Sequence, residues 1–212
     1  VTLQGANMTH HSNSLKFGLS LILGLAISSY AQVDACSETM GHTGNGTTIT
    51  NNQTGSISGT PWGFEIWFDG GNNSMTYYNN GTFKAQWSGS NDFLARVGYR
   101  YGDNGPGIDH NDYHFTVDYK YTKQSQSAGY GYIGVYGWTV NPQVEYYIVD
   151  DWYSKPNTQY IGDQFGEITV DGAKYTIHAF LRQEEPSKTG TSTFLQIFSV
   201  RQTPRQCGHR SE

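Results

Sequence analysis

The chain has 212 residues, of which 15% are aromatic and 15% are charged, with 26 glycines against 6 prolines. This composition fits one globular domain rich in turns and argues against a long-helix or disordered protein. The formal net charge of -5 at pH 7 comes without a basic stripe that could neutralise phosphates, so nucleic acid is not expected as a partner.

The N-terminal part of the chain contains an apolar run at residues 17–27, which follows the first methionine and weakly basic residues. The run is too short to span a bilayer, which takes about 20 residues. Small residues at Ser29 and Ala31 complete the pattern of a secretory signal peptide, with a buried core helix as the alternative. We predict a signal peptide at residues 8–31, while residues 1–7 are interpreted as translated upstream sequence that takes no part in the fold.

The signal-peptide pattern predicts a mature chain that begins at Gln32 and is secreted to the extracellular space. After removal of the signal peptide, we expect no association with the membrane. Cys36 and Cys207 lie at opposite ends of this mature chain. A disulfide between them is the natural interpretation in an oxidising compartment, and two free thiols are the alternative. No Cys or His spacing indicates zinc, so neither a metal nor another cofactor is expected.

The mature sequence alternates short runs rich in Tyr, Phe, Trp, Val and Thr with clusters of Gly, Asn, Asp and Ser. This alternation is typical of strands and turns. Asn80 and Gly81 between residues 75–78 and 82–87 predict a hairpin. No window shows a sustained helical period, so the fold class is all-β, a sandwich or a jelly roll.

Strand alternation also predicts which side chains share a face. Glu145 lies in the middle of a predicted strand and shares a face with Tyr147, while Tyr132, Tyr136 and Trp138 line one face of the preceding strand. Aromatic rings on a concave sheet stack on the C–H faces of sugars. A glutamate among tyrosines suits a glycosidase carboxylate, and the hydrogen-bonding glutamate of a lectin-like module is the alternative.

Longer motifs resemble a known family. Residues 134–152, GVYGWTVNPQVEYYIVDDW, closely resemble the nucleophile region of family 11 glycoside hydrolases, usually written YGW, a spacer and P-x-V-E-Y-Y. Residues 194–202, FLQIFSVRQ, resemble the Q-Y-W-S-V-R-Q strand of that family, and residues 64–74 resemble its opening strands. The likeness covers roughly Cys36 to Gly208, and the cysteine placement is similar to that of the rumen-type branch.

The resemblance implies a single-domain β-jelly roll of two packed, strongly curved antiparallel sheets that form a cleft. It also implies a monomeric, retaining endo-1,4-β-xylanase that acts on xylan or xylo-oligosaccharides. Glu145 is then the nucleophile. The resemblance assigns a further set of residues to the cleft: Trp67, Tyr132, Tyr136, Trp138, Tyr147, Arg182, Pro186 and Gln196. Core packing is the alternative for the aromatic members, and an ordinary surface position is the alternative for Arg182.

Two segments distinguish this sequence within the family: the thumb loop differs from the usual pattern, and Asp92 matches a position that varies among family members. The mobile thumb loop of the family, usually P-S-I-D-G, is P-S-K-T-G at residues 186–190, so we expect the internal bonding of the tip to differ from that of the family. Asp92 matches the position beside the acid/base that holds Asp in xylanases working at acidic pH, so an acidic optimum is expected.

The resemblance implies a catalytic domain at residues 32–208 and a non-family tail at residues 209–212. Relatives continue with a segment that carries A-T-E-G-Y, whose glutamate is the acid/base. Because that segment does not follow Gly208 here, we expect a fold that is incomplete at the C-terminus and an inactive chain. We also expect poor covering of the strand face that carries Tyr175 and Leu181. A non-catalytic carbohydrate-binding or lectin-like module, and a secreted structural protein, are the alternatives.

Overall fold

The structure, a computed structural model, describes a large part of the chain. The described residues are 2–12, 42, 44–99, 113–123, 131–140 and 142–205, with only the backbone described for 2–12, 113–116 and 140. Both cysteines, residues 13–31 of the predicted signal peptide, Gln32 and residues 209–212 lie outside the described residues. The predicted disulfide therefore stays a prediction.

The described residues are almost entirely β, which confirms the predicted fold class. The strands are β1 Thr2–Ser12, β2 Thr47–Ile49, β3 Gln53–Ser56, β4 Trp62–Asp69, β5 Ser74–Tyr77, β6 Phe83–Gln86, β7 Asp92–Tyr99, β8 Tyr113–Thr122, β9 Tyr132–Val140, β10 Gln143–Trp152, β11 Asp163–Val170, β12 Ala173–Ser187 and β13 Gly190–Arg201. One short helix, α1 Thr158–Ile161, lies between β10 and β11. No helix in the described ranges is long and apolar enough to cross a membrane.

Turn residues end the strands where the sequence predicts. The β5–β6 hairpin is confirmed: its loop closes with a hydrogen bond from the Gly81 amide to the Tyr78 carbonyl, and Gly81 has a positive φ of 79°. Between β11 and β12, Asp171 (φ 49°) and Gly172 (φ 75°) form a two-residue turn. Paired positive φ values are typical of the turns whose twist matches that of the flanking strands.

The described strands form three sheets. The outer sheet has the order β2-β5-β6-β1-β8, the cleft sheet β11-β12-β13-β10-β9, and the small sheet β3-β4-β7. The expected antiparallel pairing holds with one correction, because β10 and β13 run parallel. A parallel pair needs a long connection between its strands, and here the connection contains α1, β11 and β12. Within the described strands, β7 and β9 each lie at an end of their sheet.

Strand β1 differs from the expectation for the N-terminus. Residues 1–7 were predicted to take no part in the fold, but Thr2–Ser12 pair with β8 over most of their length and with β6 at Thr2 and Leu3. Without β1, the facing edges of β6 and β8 would leave backbone N–H and C=O groups unpaired. An extended segment satisfies those groups whatever its side chains are. The predicted processing at residue 31 remains a prediction.

The larger apolar core lies between the outer sheet and the small sheet. It contains Phe64 and Ile66 at 3% and 1% exposure, with Phe68 packed against it, as strand alternation predicts. A second cluster joins the far end of β10 to β13 and contains Val149, Trp152, Ile161, Phe198 and Val200. Helix α1 supplies Ile161 to this cluster. Its first turn is capped by Asn157, whose side chain accepts a hydrogen bond from the Gln159 amide at 2.9 Å.

A buried ion pair joins the outer sheet to the cleft sheet. Lys123, which follows β8, lies 2.7 Å from the Asp151 carboxylate of β10, and both side chains are fully buried, at 3% and 0% exposure. The lysine also donates to the Trp152 carbonyl at 2.9 Å, and Tyr121 donates to Asp151 at 2.9 Å. These bonds satisfy the charges in a place where unpaired charges would be costly.

Asp150, the residue before Asp151, is also buried, and its carboxylate is hydrogen-bonded. Its carboxylate accepts hydrogen bonds from Tyr119 and, at 2.7 Å, from Tyr175. A β-bulge between Val149 and Asp151 interrupts the pairing with β9. The extra residue of a bulge breaks the regular alternation, so the two consecutive aspartates both find partners inside the protein.

The covering of β12 was predicted only in part. Leu181 is 54% exposed, as expected, but Tyr175 is 7% exposed, so the expectation for that residue is wrong. The Asp150 carboxylate explains the difference, because it holds the Tyr175 hydroxyl inside the protein.

Replacing Lys123 by methionine tests the buried ion pair. The variant should lower the free energy of unfolding by about 3–5 kcal/mol, because Asp151 would keep a buried charge without its counter-ion. Urea denaturation followed by tryptophan fluorescence measures the change. The control is Lys155→Met at an exposed position, with an expected change within about 0.5 kcal/mol. A loss below about 1 kcal/mol for Lys123→Met, the size of a surface pair, would contradict the assignment.

Candidate active site

Glu145 occupies the middle of β10 and is 7% exposed. It pairs with Trp138 on β9 at one side and with Gln196 on β13 at the other. Cross-strand partners point to the same face of a sheet. Three strands that are distant in sequence therefore place their side chains around one carboxylate.

Three neutral donors hold the Glu145 carboxylate. Tyr136 and Tyr147 donate to Oε1 at 2.8 and 2.9 Å, and the Gln196 side-chain amide donates to Oε2 at 2.5 Å. An ionised carboxylate only accepts hydrogen bonds, and every group bonded to Glu145 is a donor. The geometry therefore suits an ionised Glu145.

Arg182 fixes the orientation of the glutamine. Its Nε donates to Gln196 Oε1 at 3.0 Å, which leaves the amide nitrogen facing Glu145. Four residues that the resemblance assigned to the cleft, namely Tyr136, Tyr147, Arg182 and Gln196, thus lie together beside Glu145.

Aromatic rings surround the carboxylate. Tyr147 stacks on Phe198 with 4.4 Å between ring centroids, and Tyr136 meets Tyr147 edge-on at 4.9 Å. The Trp138 ring lies 4.8 Å from that of Phe194, and its indole N–H donates to the Tyr136 hydroxyl. This face of the sheet offers flat apolar surfaces with hydroxyl groups beside them, which is a surface suited to sugar rings.

Sequence reasoning did not assign Phe194 and Phe198 to the site. The signal was present, because residues 194, 196 and 198 alternate onto one face and Gln196 was already assigned to the cleft.

The glycine between Tyr136 and Trp138 is also explained by the structure. A Cβ at Gly137 would collide with the Tyr146 side chain.

Burial raises the pKa of the Tyr147 phenol well above its ordinary value, and the negative charge of Glu145 raises it further. The pKa of Tyr136 is also raised, first by burial. The nearby Arg96 guanidinium opposes that rise, while the charge of Glu145 and the hydrogen bond to it add to the rise. Both phenols therefore stay protonated as donors wherever Glu145 is ionised.

Arg96, on β7, connects the small sheet to the cleft sheet. Its guanidinium lies 4.1 Å from the centroid of the Tyr136 ring and forms an ion pair with Glu65 of β4 at 2.5 Å. Sequence reasoning missed this residue. Strand alternation could have shown that Arg96 shares a face of β7 with Asp92. No pattern in the sequence indicated its contact with Tyr136.

The other predicted site residues have no described hydrogen bond to Glu145. Trp67 is 43% exposed on β4, and Pro186 is exposed on the β12–β13 hairpin. Tyr132 packs edge-on against Phe198, 6.1 Å between centroids, as part of the second core cluster. Its described contacts match core packing, the alternative to a cleft wall.

Asp92 is exposed at the start of β7, opposite Asp69, and its carboxylate accepts a hydrogen bond from the Phe93 amide at 2.8 Å. None of its described hydrogen bonds links it to Glu145, and its influence on the pH optimum stays a prediction. Within the described part of the chain, no group of three His, Cys, Asp or Glu side chains could hold a metal ion.

Comparison with known proteins identifies the family. Residues 61–210 match the family model described as glycosyl hydrolases family 11. The chain belongs to this family. A solved structure of an ENZbleach xylanase mutant is similar: the superposition covers 80% of this chain and 72% of the mutant's chain, with a TM-score of 0.63 and 31% sequence identity. The jelly-roll fold is thereby confirmed.

Curated family 11 relatives are longer than this chain. Endo-1,4-beta-xylanase C of Fibrobacter succinogenes is 50% identical over 188 residues, which are 84% of this chain and 30% of the relative. Endo-1,4-beta-xylanase S20 of Neocallimastix patriciarum is 44% identical over 195 residues, which are 90% of this chain and 57% of the relative. The chain thus spans 30% of the length of the first relative and 57% of the length of the second.

Alkaline titration of the tyrosines tests the geometry around Glu145. In the folded protein, Tyr136 and Tyr147 should ionise well above the ordinary pKa of about 10, and Glu145→Gln should lower the pKa of both because it removes a negative charge. The absorbance of phenolate at 295 nm measures the change, with Glu167→Gln as an exposed control. Identical curves for wild type and Glu145→Gln would contradict the contacts.

Proposed function

We propose that this family 11 chain cleaves internal 1,4-β-xylosidic linkages of xylan with retention of configuration, and that Glu145 is the nucleophile. The observation that carries the proposal is the Glu145 carboxylate, buried on an aromatic sheet face and bonded to three donors. Membership of the family supports the substrate class, since the relatives just described are endo-1,4-beta-xylanases.

In the first step, a Glu145 oxygen attacks the anomeric carbon of a xylose unit as the glycosidic bond breaks. The departing oxygen takes a proton from a second carboxylic acid, and a glycosyl ester on Glu145 remains. Water then attacks the same carbon, gives a proton to the second residue, and the Glu145 carboxylate is released. The donors Tyr136, Tyr147 and Gln196 orient the carboxylate before attack, since each is itself fixed by packing or by a further hydrogen bond.

The aromatic groups would bind and orient the xylan chain. The rings of Trp138 and Tyr147 lie beside Glu145 on the cleft sheet, and Trp67 of the small sheet offers a further exposed ring for stacking. Stacking of rings against the C–H faces of sugars contributes binding without demanding a charge.

The acid/base is the part of the machinery that the described site does not supply. Retaining enzymes place the two carboxyl groups about 5–5.5 Å apart, and the described partners of Glu145 are all neutral. We propose that the chain of residues 1–212 binds xylo-oligosaccharides but turns them over slowly. A version extended with a family-type segment that carries the A-T-E-G-Y glutamate should hydrolyse xylan about 10²–10⁴-fold faster, because a general acid contributes that much.

Covalent trapping tests the nucleophile in the extended version. A 2-fluoro-xylobioside with a good leaving group should label Glu145, detected by mass spectrometry of peptides, because the fluorine slows hydrolysis of the glycosyl ester. Glu145→Gln should abolish labelling and reduce reducing-sugar release from xylan by at least about 10⁴-fold. Glu185→Gln, at an exposed position on the hairpin, is the matched control and should be labelled as efficiently as wild type.

Near-normal activity of Glu145→Gln would disprove the role of this residue. Binding of xylohexaose without turnover by both the short and the extended version would instead favour the carbohydrate-binding alternative, which the single carboxylate on an aromatic face also suits.

Secretion after cleavage at residue 31, and a disulfide between Cys36 and Cys207, complete the proposal on sequence grounds. Mass analysis of secreted protein checks the first, and non-reducing peptide mapping checks the second. We also propose a monomer, which sedimentation would test.

A further inference from the structure

The hairpin of β12 and β13 extends beyond its neighbours in the cleft sheet. The pairing of β11 with β12 reaches Ala179, and the pairing of β10 with β13 begins at Leu195. Past these residues the two strands pair with each other as far as Ser187 and Gly190. Among the described strands, the outer part of the hairpin is therefore a two-stranded ribbon, which on its own is only marginally ordered.

The ribbon has an irregular base. A β-bulge lies between Arg182 and Glu185, and Glu184 has a positive φ of 53°. Bulges bend a strand and increase its twist, and a left-handed conformation is unfavourable for a residue with a Cβ. The hairpin therefore changes direction immediately beyond Arg182, the residue that orients Gln196 next to Glu145.

The tip of the bent hairpin is tied to the strand that carries Glu145. Thr189 Oγ1 donates to Gln143 Oε1 at 2.7 Å, and Gln143 Nε2 donates to Ser192 Oγ at 2.8 Å. Ser192 Oγ donates in turn to Ser187 Oγ at 2.9 Å, and Ser187 Oγ donates to the Gly190 carbonyl at 2.5 Å. Each hydroxyl uses its one proton once, so the four bonds are mutually compatible.

Gln143 is the first residue of β10 and alternates onto the same face as Glu145. Its side chain therefore meets the hairpin tip on the cleft side of the sheet, two residues from the proposed nucleophile. The side chain is half-buried, and Thr189 is exposed. Bonds at such positions contribute modestly, so the tie can open and close rather than fix the hairpin permanently.

We propose that Gln143 is a positioning residue that latches the β12–β13 hairpin against the catalytic strand, and that the latch pre-orders the cleft for 1,4-linked xylo-oligosaccharides long enough to reach beneath the hairpin. The second part rests on the proposed function. The physical reason is preorganisation: a hairpin that is already held in place loses less conformational entropy when a sugar chain binds. Within the P-S-K-T-G tip itself, the Ser187 hydroxyl supplies the internal bonding: it donates to the Gly190 carbonyl and accepts from the Thr189 amide.

The first experiment measures the latch without a ligand. Thr189→Val removes the hydroxyl at constant shape, Thr189→Ser keeps it, and Gln143→Leu removes the side-chain amide with both its oxygen and its nitrogen. Hydrogen–deuterium exchange of peptides that cover residues 184–192 should become about 2- to 10-fold faster in Thr189→Val and Gln143→Leu, as expected for loss of one or two hydrogen bonds. Thr189→Ser should exchange like wild type, and so should Gln164→Leu, an exposed control on β11.

The second experiment measures binding by titration calorimetry with xylohexaose and xylobiose on the full chain. Thr189→Val and Gln143→Leu should weaken xylohexaose binding about 2- to 10-fold, leave xylobiose binding nearly unchanged, and show less than additive effects when combined. Thr189→Ser should restore wild-type affinity.

Equal exchange in wild type and Thr189→Val would overturn the latch. Faster exchange with unchanged xylohexaose affinity would overturn its role in binding. If wild type bound no xylo-oligosaccharide at all, the proposed function would fail, while the exchange experiment would still decide whether the latch exists.

Discussion

The burial of the Glu145 carboxylate is the constraint on which the site depends. A carboxylate taken out of water needs donors for its oxygens, and a missing donor is costly. Those donors come from three strands, β9, β10 and β13, because β10 itself places side chains next to Glu145 only along its own direction, and donors to either side of it must come from the adjacent strands. Tyr136, Tyr147 and Gln196 must therefore arrive together, and the cleft sheet must have its observed strand order for Glu145 to be tolerated.

Strand β10 carries two more buried carboxylates, those of Asp150 and Asp151, and these bind groups of the protein interior. Glu145 faces the cleft, whereas Asp150 and Asp151 lie inside the protein and bind groups of β8, β12 and Lys123. The bulge before Asp151 makes the change of role possible. One strand thus presents an acceptor to the aromatic face of the sheet at one end and is anchored to the outer sheet at the other, so that its position is set by contacts remote from Glu145.

The features that could be predicted from the sequence are those that depend on local pattern. Strand alternation placed Glu145 with Tyr147 on one face of a strand and Tyr136 with Trp138 on one face of the preceding strand, and the family resemblance added Gln196 and Arg182. The features that could not be predicted depend on how separate strands meet. The contact of Arg96 with Tyr136 joins two sheets, the parallel β10–β13 pair follows a long connection, and the bond from Thr189 to Gln143 needs a bent hairpin. The exposure of Tyr175 was predicted wrongly because its burial depends on the hydrogen bond to Asp150. Asp150 is buried because of a β-bulge that the residue types do not indicate.

The parallel pairing of β10 with β13 has a consequence for how the protein folds during synthesis. Glu145 and Gln196 are 51 residues apart in the chain, and such non-local contacts form slowly because the intervening chain must be ordered first. When β10 leaves the ribosome, Tyr136 and Tyr147 are already available to Glu145, but its third donor has not yet been made. The second carboxylate oxygen then remains hydrated, and water is displaced from it only when β13 docks. Assembly of the site is therefore among the last events of folding, after the core between the outer and small sheets can already have formed.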